Sequence, residues 1–305
     1  QTSGDPFKTW KYCEDNFNKG VNIRPQFAGR PTGMLFSLES SIHPFITHPS
    51  FREIIELPLE RKVKAMKDPE FKKRILSEEY GFGEGGNYEL ANRLISSFET
   101  QFPMDEVPNY EPKIEESIAG IAKTKGVTAL EVAYDEMLKN EGKNFIYACF
   151  APYPNHTLDF YKMIIEFNSS VAGLSDGGAH CGLICDASMP TWNVAHWSRD
   201  RNRGEKLPIE YIINKQTRET ARTFGLFDRG ELKEGYLADI NIIDFDDLKV
   251  YKPEMVHDLP MGGRRIIQKC SGYIATIKSG VVTYENDKAT GQLPGKVIRG
   301  EQRLA

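Results

Sequence analysis

In two places a helical stretch runs directly into a short apolar strand, and that rhythm constrains the fold more than any other feature of the chain. The first unit opens at Asp5-Pro6, where Phe7, Trp10, Cys13 and Phe17 recur at helical spacing. Lys19-Gly20 stops the helix, and Val21 to Phe27 then alternates apolar and polar residues as a strand does. The second unit is a helix around Leu158 to Phe167 followed by the apolar run Val171 to Leu174. Each strand ends in a loop: Ala28-Gly29-Arg30-Pro31 after the first, Ser175-Asp176-Gly177-Gly178-Ala179-His180 after the second. Units of this kind build parallel sheets and barrels, where catalytic groups occupy the C-terminal tips of strands.

Between the two units the rhythm stops. Leu59 to Leu76 reads as a helix with Lys, Arg and Glu on its polar face, and helices are predicted at Pro112 to Lys125 and at Thr128 to Asn140, where Thr128 and Glu131 form a capping-box pattern. Gly81 to Gly86 and Phe102 to Pro112 are rich in breakers and read as loops. Asn144 to Phe150 is a strand that resumes the rhythm, and Pro208 to Phe224 is an amphipathic helix stopped by Gly225. After Leu226 short strands are predicted at Ala238 to Phe245, Ile266 to Gln268, Tyr273 to Lys278 and Val281 to Tyr284, with Ser279-Gly280 as a hairpin turn. The expected division is a barrel segment at 1–31, a helical insertion at 32–142, a barrel segment with the last strand at 143–226, and an all-β piece with a C-terminal tail at 227–305.

Composition narrows the partners. Hydrophobic residues at 40% with 11% aromatics fit a globular chain, and a net charge of -4 leaves no electrostatic footprint for nucleic acid. No run approaches the ~20 apolar residues that span a bilayer, no basic amphipathic stretch suggests a membrane surface, and no signal-peptide pattern opens the chain. Five cysteines, an odd number widely spread, do not read as a disulfide framework, so a reducing cytoplasmic setting is expected. Cys181 and Cys185 lack a second Cys or His pair at zinc-ligand spacing. A small molecule is the partner these features leave.

Asp176 is the residue that chemistry singles out. A carboxylate at a strand tip is costly to bury unless paired or metal-bound, and the glycines beside it let backbone approach a ligand closely. The alternative is an ordinary Ser-Asp-Gly-Gly turn. His180 either contacts substrate and orients that carboxylate or simply packs its loop. Arg30 at the other strand tip suits bidentate pairing with a substrate carboxylate, or serves as a structural clamp. Tyr153, in a Pro-flanked turn, lines the mouth or packs against the body. His43 and His48, each followed by proline in the insertion, read as lid or solvated-loop residues.

Several motifs together resemble a known family. Arg229-Gly230, Leu232, Gly235, Ala238-Asp239-Ile240 and Asp244 resemble the terminal signature of the amidohydrolase superfamily, in which the chain leaves its barrel and completes a small β-sandwich. Gly29-Arg30-Pro31-Thr32, His43-Pro44-Phe45, Leu174 to His180 and Gly262-Gly263-Arg264-Arg265 resemble its N-acyl-D-amino-acid deacylase (D-aminoacylase-like) branch. The resemblance implies the C-terminal part of a (β/α)8 TIM-type barrel and a hydrolase of linear amides such as N-acyl-D-amino acids. It implies one or two divalent metals, usually Zn2+, and makes Asp176 both a metal contact and the general base and acid on metal-bound water. The family's His-X-His and its later histidine ligands have no counterpart in these residues and are expected before Gln1. His180, Arg30 and Tyr153 are carried as substrate-binding candidates. The chain alone is expected to hold metal weakly or not at all. The alternative expectation is a catalytically incomplete fragment or subunit that needs an N-terminal half or a partner chain to supply the metal ligands; a homo-oligomer is a further expected partner state.

Overall fold

In the computed structural model, which describes residues 5–83, 86–175 and 180–302, helix α1 (Pro6–Phe17) starts where the sequence predicts. The Asp5 carboxylate accepts the Phe7 N–H at 3.0 Å, and Pro6 occupies the first turn, where its missing N–H costs nothing. Strand β1 (Gln26–Phe27) is much shorter than the alternating run, because Pro25 has no N–H to extend a ladder and contributes only its carbonyl, to Val171. After β2 (Gly33–Phe36) come α2 (Pro49–Ile54), α3 (Leu59–Met66), α4 (Pro69–Leu76), α5 (Gly86–Ser96), β3 (Gln101–Pro103), α6 (Ile118–Lys125), α7 (Ala129–Gly142) and β4 (Ile146–Cys149). The single helix expected from Leu59 to Leu76 is two. Asp68 accepts the Glu70 N–H at 2.8 Å and caps a new helix whose first residue is Pro69, which cannot continue the previous one.

The chain continues through α8 (Asp159–Glu166), β5 (Val171–Ala172) and α9 (Met189–Ala195), which runs on as a π turn over His196–Asp200. The amphipathic stretch before Gly225 breaks at Thr217 (φ -111°, ψ -83°) into α10 (Ile209–Gln216) and α11 (Arg218–Thr223). The all-β piece holds β6 (Ile240–Ile243), β7 (Lys249–Val250), β8 (Glu254–Leu259), β9 (Gly263–Ile267), β10 (Cys270–Ser271), β11 (Tyr273–Lys278), β12 (Val281–Glu285) and β13 (Lys288–Ala289). Ser279 and Gly280 both have positive φ (51° and 80°), as a tight turn between β11 and β12 requires.

The class is mixed α/β, but the described strands do not close into a barrel. β1 and β5 form a two-stranded parallel pair, Gln26 opposite Val171 and Phe27 opposite Ala172, so their C-terminal tips point the same way. β4, read from sequence as a resumption of the barrel rhythm, runs antiparallel between β2 and β3. Its run of apolar residues suits a strand buried on both faces, and burial alone does not distinguish parallel from antiparallel partners. In the all-β piece, β13-β12-β11-β6 form one antiparallel sheet, while β8 pairs with β9 and β7 with β10. Arg229 and Asp239 of this piece have a structural task. Arg229 pairs with Asp228 at 2.8 Å, and Asp239 accepts from Lys278 at 2.8 Å and from the Ser279 N–H at 2.9 Å, pinning the β11–β12 turn.

Two apolar cores meet at the β2-β4-β3 sheet. Tyr147 and Cys149 face the first, with Leu35, Phe102, Trp192 and Trp197; Ile146 and Ala148 face the second, with Val63, Ile118 and Met137 of the insertion helices. The strand period of two turns β4 into a wall shared by both cores.

Candidate active site

The turn after β1 is where the two tips converge, and it is buried from Gly29 to Pro31. Backbone passes so close to α9 that a Cβ on Gly29 would stand 1.5 Å from the Asn193 side-chain oxygen, which is why glycine is needed there. The Trp197 indole N–H donates to the Gly29 carbonyl at 3.0 Å, and the Tyr147 hydroxyl donates to the Pro31 carbonyl. Arg30 is 2% exposed. Its guanidinium lies 3.7 Å from the Tyr110 ring centroid, with the Tyr147 and Trp192 rings at 5.9 and 6.0 Å, and its Nη2 pairs with Asp186 at 3.2 Å. Burial works against the charge, but Tyr110, Tyr147 and Asp186 outweigh it and hold Arg30 more firmly protonated than an ordinary arginine. Burial also pushes the neighbouring thiols up, Cys149 to about 12 and Cys185 to about 11, so both are neutral thiols.

A second buried cluster adjoins it. Tyr110 is followed by Glu111, whose carboxylate accepts from the Leu158 N–H at 2.8 Å and from Arg201 Nη2 at 3.2 Å, and lies 3.2 Å from His196 Nε2. Arg201 also reaches Asp159 at 2.6 Å. Burial opposes the Glu111 charge, yet His196 and Arg201 hold its carboxyl below the usual range, while burial lowers His196. His196 stacks on Trp192 at 4.2 Å from the opening of the π turn. None of Tyr110, Glu111, Asp186, His196 or Arg201 was expected from sequence. The four-residue spacing of Trp192 and His196 on one helix was a readable signal; the arrival of Tyr110-Glu111 from a breaker-rich loop was not.

Asp176 lies outside the described residues. His180, on the far side of that segment, is exposed, has positive φ (50°) and uses its carbonyl to accept the Leu183 and Ile184 N–H groups. Tyr153 is half-buried, donates its hydroxyl to the Pro112 carbonyl at 2.8 Å and packs against Phe102 and His156. Arg30 sits in the buried cluster just described, so the structure brings Arg30 to Asp186 and not to Tyr153. His43 and His48 are neither lid nor solvated-loop residues: both are fully buried in the insertion, His43 against Phe51 and His48 stacked on Tyr80 at 4.6 Å.

A groove of about 550 Å³ opens beside the β1 tip, lined by Trp10, Ala28, Thr32, Pro152, Tyr161 and Ile164. A larger one of about 780 Å³ separates the insertion from β7 and β8, and its charges pair with one another, Lys252 with Glu106 at 2.8 Å and Lys269 with Glu254 at 2.7 Å. Among the described residues no three His, Cys, Asp or Glu side chains come together as a metal site. All five cysteines are free thiols, and among the described residues no helix is long and apolar enough to cross a membrane.

Comparison with known proteins finds a similarity over part of the chain. Residues 152–284 match an amidohydrolase family model. No curated protein matches the sequence significantly. Solved structures of D-aminoacylase align with 63% of this chain at 20–21% identity and a TM-score of 0.34; one was described for the role of its binuclear metal centre, another as defining a novel subset of amidohydrolases. The chain spans 36% of the length of those proteins.

Proposed function

We propose, with residues 152–284 an amidohydrolase-family region as the premise, that this chain forms part of a metal-dependent hydrolase of linear amide bonds, N-acyl-D-amino acids being the substrate class. The observation that carries the reading is that match, which runs through β5 and the Asp176 segment at its tip. In the parallel pairing of β1 with β5, the turn carrying Arg30 leaves the same end as that segment, which is where barrel enzymes keep their chemistry. On this reading Asp176 takes a proton from the attacking water and returns it to the leaving nitrogen, so that water adds across the C–N bond and releases a carboxylate and an amine. His180 and Tyr153 are the substrate contacts of the proposal.

The divalent metal, zinc or another, finds no ligand set among the described residues. The proposal gives this chain the proton carrier, Asp176, which also contacts the metal, and leaves the remaining metal ligands to other polypeptide. A cytoplasmic setting accords with the five free thiols.

The test is hydrolysis of N-acetyl-D- and N-acetyl-L-amino acids by the intact protein that carries this chain, with and without added zinc. Turnover of the D series with zinc, lowered ~10²–10⁴-fold by Asp176→Asn, supports the proposal. Full activity in that variant removes Asp176 from the mechanism. Activity that appears only after a second polypeptide is supplied supports the reading of an incomplete subunit instead.

A further inference from the structure

We infer that Arg30 is a positioning residue and not a substrate ligand: through Asp186 it fastens the chain leaving the Asp176 segment to the tip of β1. The inference rests on the proposed role of Asp176 and adds how the chain that follows it, residues 181–189, is fastened.

Three observations carry it. The guanidinium is 2% exposed, stacked on Tyr110 at 3.7 Å and paired with Asp186 at 3.2 Å. A substrate carboxylate would have to compete with Asp186 for a guanidinium already held in a buried ion pair. The turn that carries Arg30 is itself fixed, by the Trp197 bond to the Gly29 carbonyl and by the contact of Gly29 with Asn193. The chain that it grips is fixed elsewhere through backbone: the Leu35 N–H donates to the Leu183 carbonyl and the Ile266 N–H to the Cys181 carbonyl, both at 2.7 Å, and the Met189 N–H donates to the Asp186 carbonyl at 2.9 Å. Residues 181–189 are thus tied to β2, to β9 and, through the ion pair, to β1. Arginine suits the last tie because a planar, permanently charged group can stack on Tyr110 and still bond sideways to a carboxylate, as an ammonium cannot.

The experiment compares the intact wild-type protein with Arg30→Lys and Asp186→Asn, variants chosen to keep polarity and approximate size at a buried site. Expected for both is a fall in kcat of ~10-fold or more that exceeds any rise in KM, because a loosened segment misplaces proton transfer. A rise in KM of ~10-fold or more with kcat retained makes Arg30 a substrate ligand and overturns the inference. Hydrogen exchange gives a readout that does not depend on activity. Amides of residues 183–189 are expected to exchange faster in both variants, with α6 and α7 unchanged. No change at 183–189, or a uniform rise along the whole chain, overturns the inference. If the wild type hydrolyses none of the substrates, the proposed function has failed, and the exchange result alone decides whether Arg30 fastens this segment.

Discussion

A neutral imidazole sits in the insertion core, and its surroundings dictate what acid does to the chain. His43 is fully buried, its Nδ1 accepts the Phe45 N–H at 3.2 Å, and among the described residues its Nε2 has no hydrogen-bond partner. Burial first, then the nearby Lys62 and His48 charges, press its pKa from 6.5 down to about 3. The unfolded chain therefore takes up this proton before the folded one does. The stability His43 contributes is present above pH 6.5 and is lost as pH falls toward 3, at about 1.4 kcal/mol per pH unit within that window. His43→Asn keeps an acceptor for the Phe45 N–H, so urea midpoints measured from pH 7 to pH 4 should fall less steeply in the variant; identical slopes would remove His43 from the account. Gly29 gives a second prediction at this scale. Gly29→Ala drives a methyl into Asn193 and should cost about 1–3 kcal/mol in chemical denaturation, an effect eased by the double change with Asn193→Ala. Both glycine and arginine of this turn were visible in the sequence as strand-tip residues. Their burial was not, because the cover comes from Tyr110, Asn193 and Trp197, which are distant in the chain and carry no local mark of where they will arrive.

Helices and strands were legible where a local device sets them and illegible where a partner does. The Asp5 cap placed α1 correctly, and Thr128, which accepts the Glu131 N–H at 3.1 Å, placed α7. Asp68-Pro69 is the same device, and passing over it merged α3 with α4. Asp68→Ala should therefore weaken α4 by about 1 kcal/mol, read as a loss of helical signal or of thermal midpoint, with no effect on the β1–β5 region. The joint between α8 and β5 depends on a group no periodicity reveals. Lys215 of α10 is 4% exposed and donates to the Phe167 and Ser170 carbonyls at 2.6 and 2.9 Å and to the Ser170 hydroxyl at 3.2 Å; burial lowers its pKa to about 8. Lys215→Met leaves those buried acceptors unmet and should cost about 1–3 kcal/mol in denaturant titrations. A neutral outcome would mean that water replaces the ammonium there.

The whole molecule is organised by one strand that serves two cores. Since Tyr147 and Cys149 pack with Trp192 and Trp197 while Ile146 and Ala148 pack with the insertion helices, neither core keeps its wall if β4 leaves. β2 and β3 come from the stretch 32–142 and flank β4, so that stretch shares a wall with the rest of the chain. A cavity cut into either face should then destabilise both cores together. Ile146→Ala, at a fully buried position facing the insertion, should cost about 2–5 kcal/mol. The loss should appear equally in tryptophan fluorescence, which reports the first core, and in far-UV circular dichroism, to which the helices packed on the second core, α2 to α7, contribute strongly. Coincident transitions with a shared shift follow from a shared wall. A helical transition that moves while the tryptophan transition stays in place would show that the two cores fold independently and that β4 belongs to only one of them.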